Sequence, residues 1–526
     1  MPQPTPIPQQ RPWTAWAALA AVLAGALVVY RPWQGAPFDI LDFSEFLPLI
    51  HRSDGFLERF LALVEYYAGQ HGRLNILSYA ALAAKWSLLG DNPALWQLAR
   101  FAQMSLVTVC AYWLLRRLRI SPGGAVCGAT LFVVAGSAMN AWVRLTMGEP
   151  LGTLLVLAAA ILATWFQASG RWRLLAWVIA ALLAGALLAK EMLVGCVPFV
   201  LVLGLAFHQD GWRKPAWNPK TRWLLGAMVL LVGGTLLAIG LVLLSVPREG
   251  FSALYGVAAP TWSRLLTSYL LMALPASTFF RGLWGLIFPP NLLFTIISLG
   301  GLVTALARPQ ARRAAVAVAA TAAAMPLMGA LLYLPWPQYN SFYGLPYLFG
   351  QALLLGFAVS VLVRETPRLR WVVYGASLMV ALITGSIAQQ QARRVRAGQN
   401  LNAALAEAVL EYSAVDSIVV LVSGHAHQTW QGTGATLRRY ALAGRPEAKL
   451  PPGVEATCRE AVEGFEAGAV LIVNPRTHCP VAGDLVLTLV EGYSYASWSE
   501  VQVVGDSVWS TLHLLRIEED EDTADR

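Results

Sequence analysis

Runs of about twenty apolar residues recur along this 526-residue chain, and each is long enough to cross a hydrocarbon core of roughly 30 Å. Inside hydrocarbon every backbone N–H and C=O must find its partner within the protein, so only helices or a closed barrel can cross. Long apolar runs without period-two alternation select helices. The chain is 57% hydrophobic and 13% charged, where soluble domains carry roughly 25% charged residues. A soluble globular fold is thereby excluded.

Eleven runs are read as spans: 14–30, 96–115, 123–141, 150–167, 173–189, 191–207, 222–245, 283–305, 314–334, 342–363 and 371–388. The first is read as a retained signal anchor. Stretch 74–90 is apolar but interrupted by Lys85, and it is assigned with 261–280 to re-entrant or interfacial helices. Loops bearing Arg116, Arg117, Arg119, Arg171, Arg173, Arg213, Lys214, Lys220, Arg222, Arg308, Arg312, Arg313, Arg364, Arg368 and Arg370, opposed only by Asp210 and Glu365, alternate with the spans and are expected to be cytoplasmic. That places the N-terminus in the cytoplasm. The other side receives 31–95, 142–149, the Lys190–Glu191 junction, 246–281, 335–341 and the tail. Arg393, Arg394 and Arg396 fall on that outer side against the rule.

The net charge of +8 is unevenly spread: residues 395–526 hold 9 basic and 18 acidic groups, the first 394 hold 29 and 12. This shift divides the chain into a basic membrane domain, 1–394, with interfacial helices in its 31–95 loop, and an acidic soluble domain, 395–526. The basic charges lie beside spans, where they orient the protein and meet lipid head groups, so no nucleic acid is called for. In the tail, 398–413 and "GATLRRYALAG" have helical spacing. "SIVVLVSG", "AVLIVN", "DLVLTLVE" and "SVWSTLHLLRI" read as strands, ahead of a solvated acidic end. The expected fold class is mainly α: a polytopic helix bundle of about eleven spans with a small C-terminal α/β domain outside the cytoplasm. Cys110, Cys127 and Cys196 lie in spans as packing residues, whereas Cys458 and Cys479 would meet an oxidising compartment and could pair.

The stretch "FDILDFSEFLPLIHR" places Asp39, Asp42 and Glu45 three residues apart just beyond the first span. With 42–66 it fits two amphipathic helices in the interface, broken at Ser53–Gly55, whose wet face the acids could simply form. Each outer junction, however, adds polar groups beside apolar wall. "WVRLTMGEPLG" brings Glu149, and "LLAKEMLVG" brings Lys190 and Glu191 with almost no loop around them. "LPWPQYNSFYG" brings Tyr339 and Tyr343, and the fourth outer loop brings Arg264 and Arg281. A charge pair so near membrane depth is functional or paired. An ion pair capping two helix ends and an aromatic interface belt account for the same residues without chemistry.

Residues 14–390 resemble the GT-C fold glycosyltransferases, the class that includes protein O-mannosyltransferases and lipid A aminoarabinose transferase. The resemblance rests on the acidic cluster "FDILDFSEF" and the stretch "GQHGRLNILSYAALAAKWSLLGDNPALWQLARF". It also rests on the lone acid Glu149 after the third span, the Lys of "LLAKE" and an exoplasmic C-terminal domain. It implies transfer of a sugar from a polyprenyl-phosphate donor to a lipid, glycan or protein acceptor at the outer membrane face. An Asp of the first outer loop acts in that family as general base or positions the acceptor, a role that falls on Asp42 or Asp39. Asp42 is preferred because it opens the amphipathic helix, with Glu45 one turn on.

The residue types suit such chemistry. A base must stand within hydrogen-bond reach of the acceptor hydroxyl. The donor phosphate needs cations, for which Lys190, Arg281 and Arg264 are candidates, and His71 could face sugar or phosphate. Asp39, Asp42 and Glu149 could also hold a divalent cation through carboxylate oxygens. Two rivals stand beside this: a lipid carrier or transporter, and a non-catalytic GT-C-like scaffold. High Ala, Leu, Arg and Trp usage suggests a bacterial inner membrane, with undecaprenyl phosphate as carrier.

Overall fold

The computed structural model describes residues 12–34, 50, 53–90, 92–145, 148–208, 211–212, 217–245, 261–276, 287–334 and 341–412, and the strands 418–421, 470–473, 485–488, 498–506 and 511–517. The chain divides into two compact units, Met1–Gln34 with Val64–Leu89 and Leu95–Ala392, and Gly35–Leu63 with Gly90–Ala94 and Arg393–Arg526.

The described helices, in chain order, are α1 Pro12–Tyr30, α2 Phe56–His71, α3 Ile76–Leu89, α4 Pro93–Arg117, α5 Pro122–Val134, α6 Gly136–Val143, α7 Glu149–Phe166, α8 Trp172–Ala189, α9 Val197–Ala206, α10 Pro219–Ser245, α11 Trp262–Ala273, α12 Pro289–Leu306, α13 Pro309–Tyr333, α14 Leu348–Glu365 and α15 Arg370–Tyr412. Among them, α4, α7, α8, α10, α12, α13 and the segments Tyr343–Glu365 and Pro367–Gln390 are long and apolar enough to cross a membrane. Helices α5 and α6, bent by 52° where they meet, form a ninth as one broken span. Trp16–Tyr30 and Glu191–Ala206 are shorter apolar helices, so each of the eleven expected spans coincides with an apolar helix. The third short apolar helix, α3, is the stretch interrupted by Lys85. The protein is a multi-pass membrane protein.

Prolines open many of these helices, where a missing N–H leaves nothing unsatisfied and φ is already helical. Ser121 caps α5 by accepting from the Gly124 amide at 3.2 Å, and Asn218 caps α10 by accepting from Thr221 at 2.9 Å. Lipid tails are as apolar as leucine, so helices in a bilayer associate by close packing rather than by escaping water. Small residues supply it here. A Cβ on Gly124 would come within 2.3 Å of the Gly356 carbonyl oxygen, and one on Gly128 within 2.3 Å of that of Ala352. These four positions, spaced one turn apart on α5 and α14, form a backbone-to-backbone seam. It ends in a hydroxyl pair, Ser121 with Ser360 at 2.8 Å.

In the second unit, α2 begins after Gly55 (φ +92°), and Glu58 in its first turn accepts from the Asp54 amide at 2.9 Å. This is the break expected at Ser53–Gly55. The tail holds a five-stranded sheet of strands β3 Ile418–Leu421, β4 Val470–Val473, β5 Leu485–Thr488, β6 Trp498–Asp506 and β7 Thr511–Ile517, ordered β4-β3-β5-β7-β6. β3 runs parallel to β4 and β5, and β7 antiparallel to β5 and β6. Four of these strands match the expected ones. β6 was not anticipated, because two register shifts, at Glu500/Gln502 and Val503/Gly505, break the alternation that betrays a strand. A two-residue ribbon also joins Phe207–His208 to Gly211–Trp212. The span 371–388 and the helix expected at 398–413 are one helix, α15, since the polar link "QQQARRVRA" consists largely of good helix formers.

The seam yields a prediction. Gly128→Leu would force α5 away from α14 and should cost about 1–3 kcal/mol, the range for overpacking. It would show as a lowered unfolding midpoint in detergent, whereas the same change at Gly240, where an added Cβ meets nothing within 4 Å, should leave the midpoint in place.

Candidate functional site

Helices α7 and α8 run antiparallel, so the N-terminus of one lies beside the C-terminus of the other. Glu149 is the first residue of α7 and Lys190 caps the end of α8. A carboxylate is favoured at a helix N-terminus and an ammonium at a C-terminus, so each charge suits its own helix as well as its partner. Lys190 Nζ stands 3.4 Å from Glu149 Oε1, with the side chains 13% and 1% exposed. Glycines permit this approach: a Cβ on Gly148 would meet the Ala189 carbonyl oxygen at 2.4 Å, and one on Gly152 would meet Leu193 Cδ1 at 2.0 Å.

The pair lies within a larger polar lip. Glu191 opens a 3-10 helix, Glu191–Cys196, directly after Lys190. The Asn75 side chain hydrogen-bonds its carboxylate, and Arg73 acts on both Lys190 and Glu191. Gly72, in the left-handed region at φ +64°, turns the chain so that the Arg73 amide donates to the Tyr67 carbonyl at 3.0 Å. Ser78 near the start of α3 donates to the Ala189 carbonyl at 2.6 Å, tying this segment to the end of α8. On the other flank, the Tyr343 ring lies 5.7 Å from Lys190 Nζ and stacks on Tyr333 at 4.1 Å. The Tyr347 hydroxyl donates to the Met192 carbonyl at 2.7 Å.

Burial by itself disfavours the Lys190 ammonium. Glu149 and Glu191, with help from Tyr343, outweigh burial and the opposing charge of Arg73, so its pKa lies above the ordinary value. Among the described residues, several buried oxygens of the lip accept no hydrogen bond: both of Glu149, Oγ1 of Thr153 one turn on, Oε2 of Glu191 and Oδ1 of Asn75. Buried polar atoms are nearly always satisfied, so this concentration marks a place that water or a polar ligand completes.

The structure thus brings together Glu149, Lys190, Glu191 and Tyr343. Arg264 lies half-buried in the first turn of α11, its amide donating to Thr261 Oγ1 at 3.3 Å, and is not among the groups acting on Lys190. His71 ends α2, and its side chain is outside the described residues, as are Asp39, Asp42, Glu45, Arg281, Tyr339, Cys458 and Cys479. Arg73, Asn75, Thr153, Tyr333 and Tyr347 were not singled out by sequence. "HGRLN", a polar run directly before an apolar helix, was the available signal for the first two. Among the described residues no three His, Cys, Asp or Glu side chains stand together as metal ligands, and Asp39 and Asp42, the expected companions of Glu149 in such a site, lie outside them.

The pair can be tested by itself. Glu149→Gln or Lys190→Met leaves one buried charge uncompensated and should cost about 3–5 kcal/mol, while the double variant recovers most of that. Denaturation in detergent measures both. Because folding raises the Lys190 pKa, its contribution is complete below the ordinary value of 10.5 and is lost only as pH rises beyond it. Between about pH 6 and 9, therefore, the effect of Lys190→Met on the unfolding midpoint should not change.

No protein-family model matches the chain, and no curated protein matches it in sequence. Among solved structures, ArnT (lipid A aminoarabinose transferase) from Cupriavidus metallidurans in the apo state superposes with a TM-score of 0.50 at 12% identity, over 97% of this chain and 100% of that one. ArnT bound to undecaprenyl phosphate gives 0.40 at 13% identity, over 97% and 100% of the two chains. An Archaeoglobus fulgidus oligosaccharyltransferase in complex with Zn and sulfate gives 0.43 at 12% identity, over 81% of this chain and 61% of that one. The last two scores are too low to carry an argument. The apolar helices of the described residues, superposed on the whole length of apo ArnT, identify the fold: this chain has the GT-C fold of integral-membrane glycosyltransferases.

Proposed function

We propose that the protein is a membrane glycosyltransferase that moves a sugar from a polyprenyl-phosphate donor to a lipid, glycan or protein acceptor. The observation that carries this reading is the charged lip of Glu149, Lys190 and Glu191 at a span junction of a GT-C fold. In this reading the lip faces away from the cytoplasm in a bacterial inner membrane. Residues 1–394 form the catalytic membrane domain, and 395–526 form an extracytoplasmic domain. The donor's chain lies against lipid-facing helices, and its sugar and phosphate reach the membrane surface.

Asp42, or Asp39 in its place, takes the proton of the acceptor hydroxyl. The acceptor oxygen forms its bond to the anomeric carbon as the bond from that carbon to the phosphate oxygen breaks. The phosphate leaves with the electron pair, and the configuration inverts. Lys190, Arg264 and Arg281 offset the phosphate's charge, and Glu149 keeps Lys190 protonated and in place. Glu45, His71, Glu191, Tyr339 and Tyr343 line the sugar and acceptor side. No step is routed through a divalent ion. Charges at the ends of spans rather than at mid-membrane favour transfer over coupled transport.

The test is made in cells that lack the protein, by quantifying polyprenyl-phosphate sugars with mass spectrometry. Such a donor should accumulate and be consumed when the wild-type chain is returned. Asp42→Asn should slow consumption by about 10²–10⁴-fold, the usual contribution of a general base. Wild-type consumption by both Asp42→Asn and Asp39→Asn would remove the proposed base. Movement of the intact donor across vesicles without transfer would favour a carrier.

A further inference from the structure

At the ends of α8 and α10 remote from the Glu149–Lys190 lip, two guanidinium groups lie over indole rings, with a third beside them in sequence. Arg173 lies over two of them, 5.1 Å from the Trp172 centroid and 5.5 Å from that of Trp223. Those rings meet edge to face at 6.2 Å and 87°, one from each helix. Arg222 lies 6.0 Å from the ring of Trp217, and Arg171 precedes α8. The ring faces hold the guanidinium planes and leave their N–H edges open to an acceptor.

Several other basic groups of the loops at this end are engaged by polar partners. Arg116 donates to the Ile120 carbonyl, Arg117 to Thr164, and Arg312 to the Leu306 carbonyl. Arg308 and Arg364 pair with Glu365. Lys220 donates to the carbonyls of Gln167 at 2.6 Å and Ser169 at 3.3 Å, fixing the floor of the crevice. Arg171, Arg173 and Arg222 have no carboxylate partner among the described residues. Further into the membrane the same two helices expose Leu174, Trp177 and Val178, and Val229 and Leu230.

We propose that this crevice between α8 and α10 binds the phosphodiester headgroup of an anionic phospholipid, whose acyl chains lie along the exposed apolar side chains below. Three cations without a carboxylate partner among the described residues select a net negative headgroup over a zwitterionic one. The adjoining apolar strip selects a lipid over a free phosphate. The site is separate from the proposed donor site, at the other end of α8, and does not depend on the glycosyltransferase reading.

The purified full chain, in detergent, is incubated with equal amounts of phosphatidylglycerol and phosphatidylcholine, and the lipid it retains after gel filtration is quantified. Phosphatidylglycerol should be preferred, and R173Q/R222Q should reduce its retention about thirty-fold, as expected for two arginines at about 1 kcal/mol each. R173K/R222K should keep part of the preference. Salt at about 0.5 M should weaken it in the wild-type chain, an arm that needs no variant to fold. Equal retention of the two lipids by the wild type, a preference indifferent to salt, or unchanged retention in R173Q/R222Q would overturn the proposal. Full displacement of phosphatidylglycerol by equimolar inorganic phosphate would overturn it in favour of a free anion.

Discussion

Hydrocarbon offers a peptide group nothing to hydrogen-bond to, and most of this architecture follows from that. The membrane body is helical because helices satisfy their own backbone. Its charged side chains gather at helix ends, because a charge at mid-depth is expensive. Polar chemistry is therefore confined to junctions, where the last carbonyls of one helix and the first amides of the next already need partners. Glu149, Lys190 and Glu191 occupy one such junction, and Arg171 and Arg173 lie at the other end of α8, with Arg222 near the start of α10.

The two ends handle charge differently. At the Glu149–Lys190 lip, opposite charges are buried side by side and aligned with the dipoles of antiparallel helices. Desolvation of such a pair offsets much of its attraction, so its value lies in position rather than in net stability. At the opposite end, arginines lie against aromatic faces, the arrangement we propose an anionic headgroup completes.

Much of the fold was legible in the residues because a bilayer turns hydropathy into a ruler. All eleven expected spans coincide with apolar helices, and the stretch interrupted by Lys85 is the short apolar helix α3. The strands "IVVL", "VLIV" and "LVLT" were legible from their β-branched composition. Continuity and irregularity were harder. The helix through Arg393–Arg396 was read as a break because polarity resembles a loop, and β6 was hidden by its register shifts. At the site, Glu149, Lys190, Glu191 and Tyr343 were visible as polar residues where spans meet. Arg73, Asn75 and Thr153 were not, since nothing in a single chain distinguishes them from ordinary interfacial or helical polar residues.

The order of apolar runs and the spacing of basic loops determined by themselves that this chain crosses a membrane many times, and which junctions hold charge. Both are one-dimensional consequences of hydrophobic length and the price of burying an ion. Which junction residues touch was decided only by tertiary structure. Glu149 and Lys190 lie far apart in sequence, and they meet because Gly148 and Gly152 let two backbones approach within a side chain's width. Packing complementarity between surfaces remote along the chain leaves no periodic mark in the sequence, so it appears only once the helices are assembled.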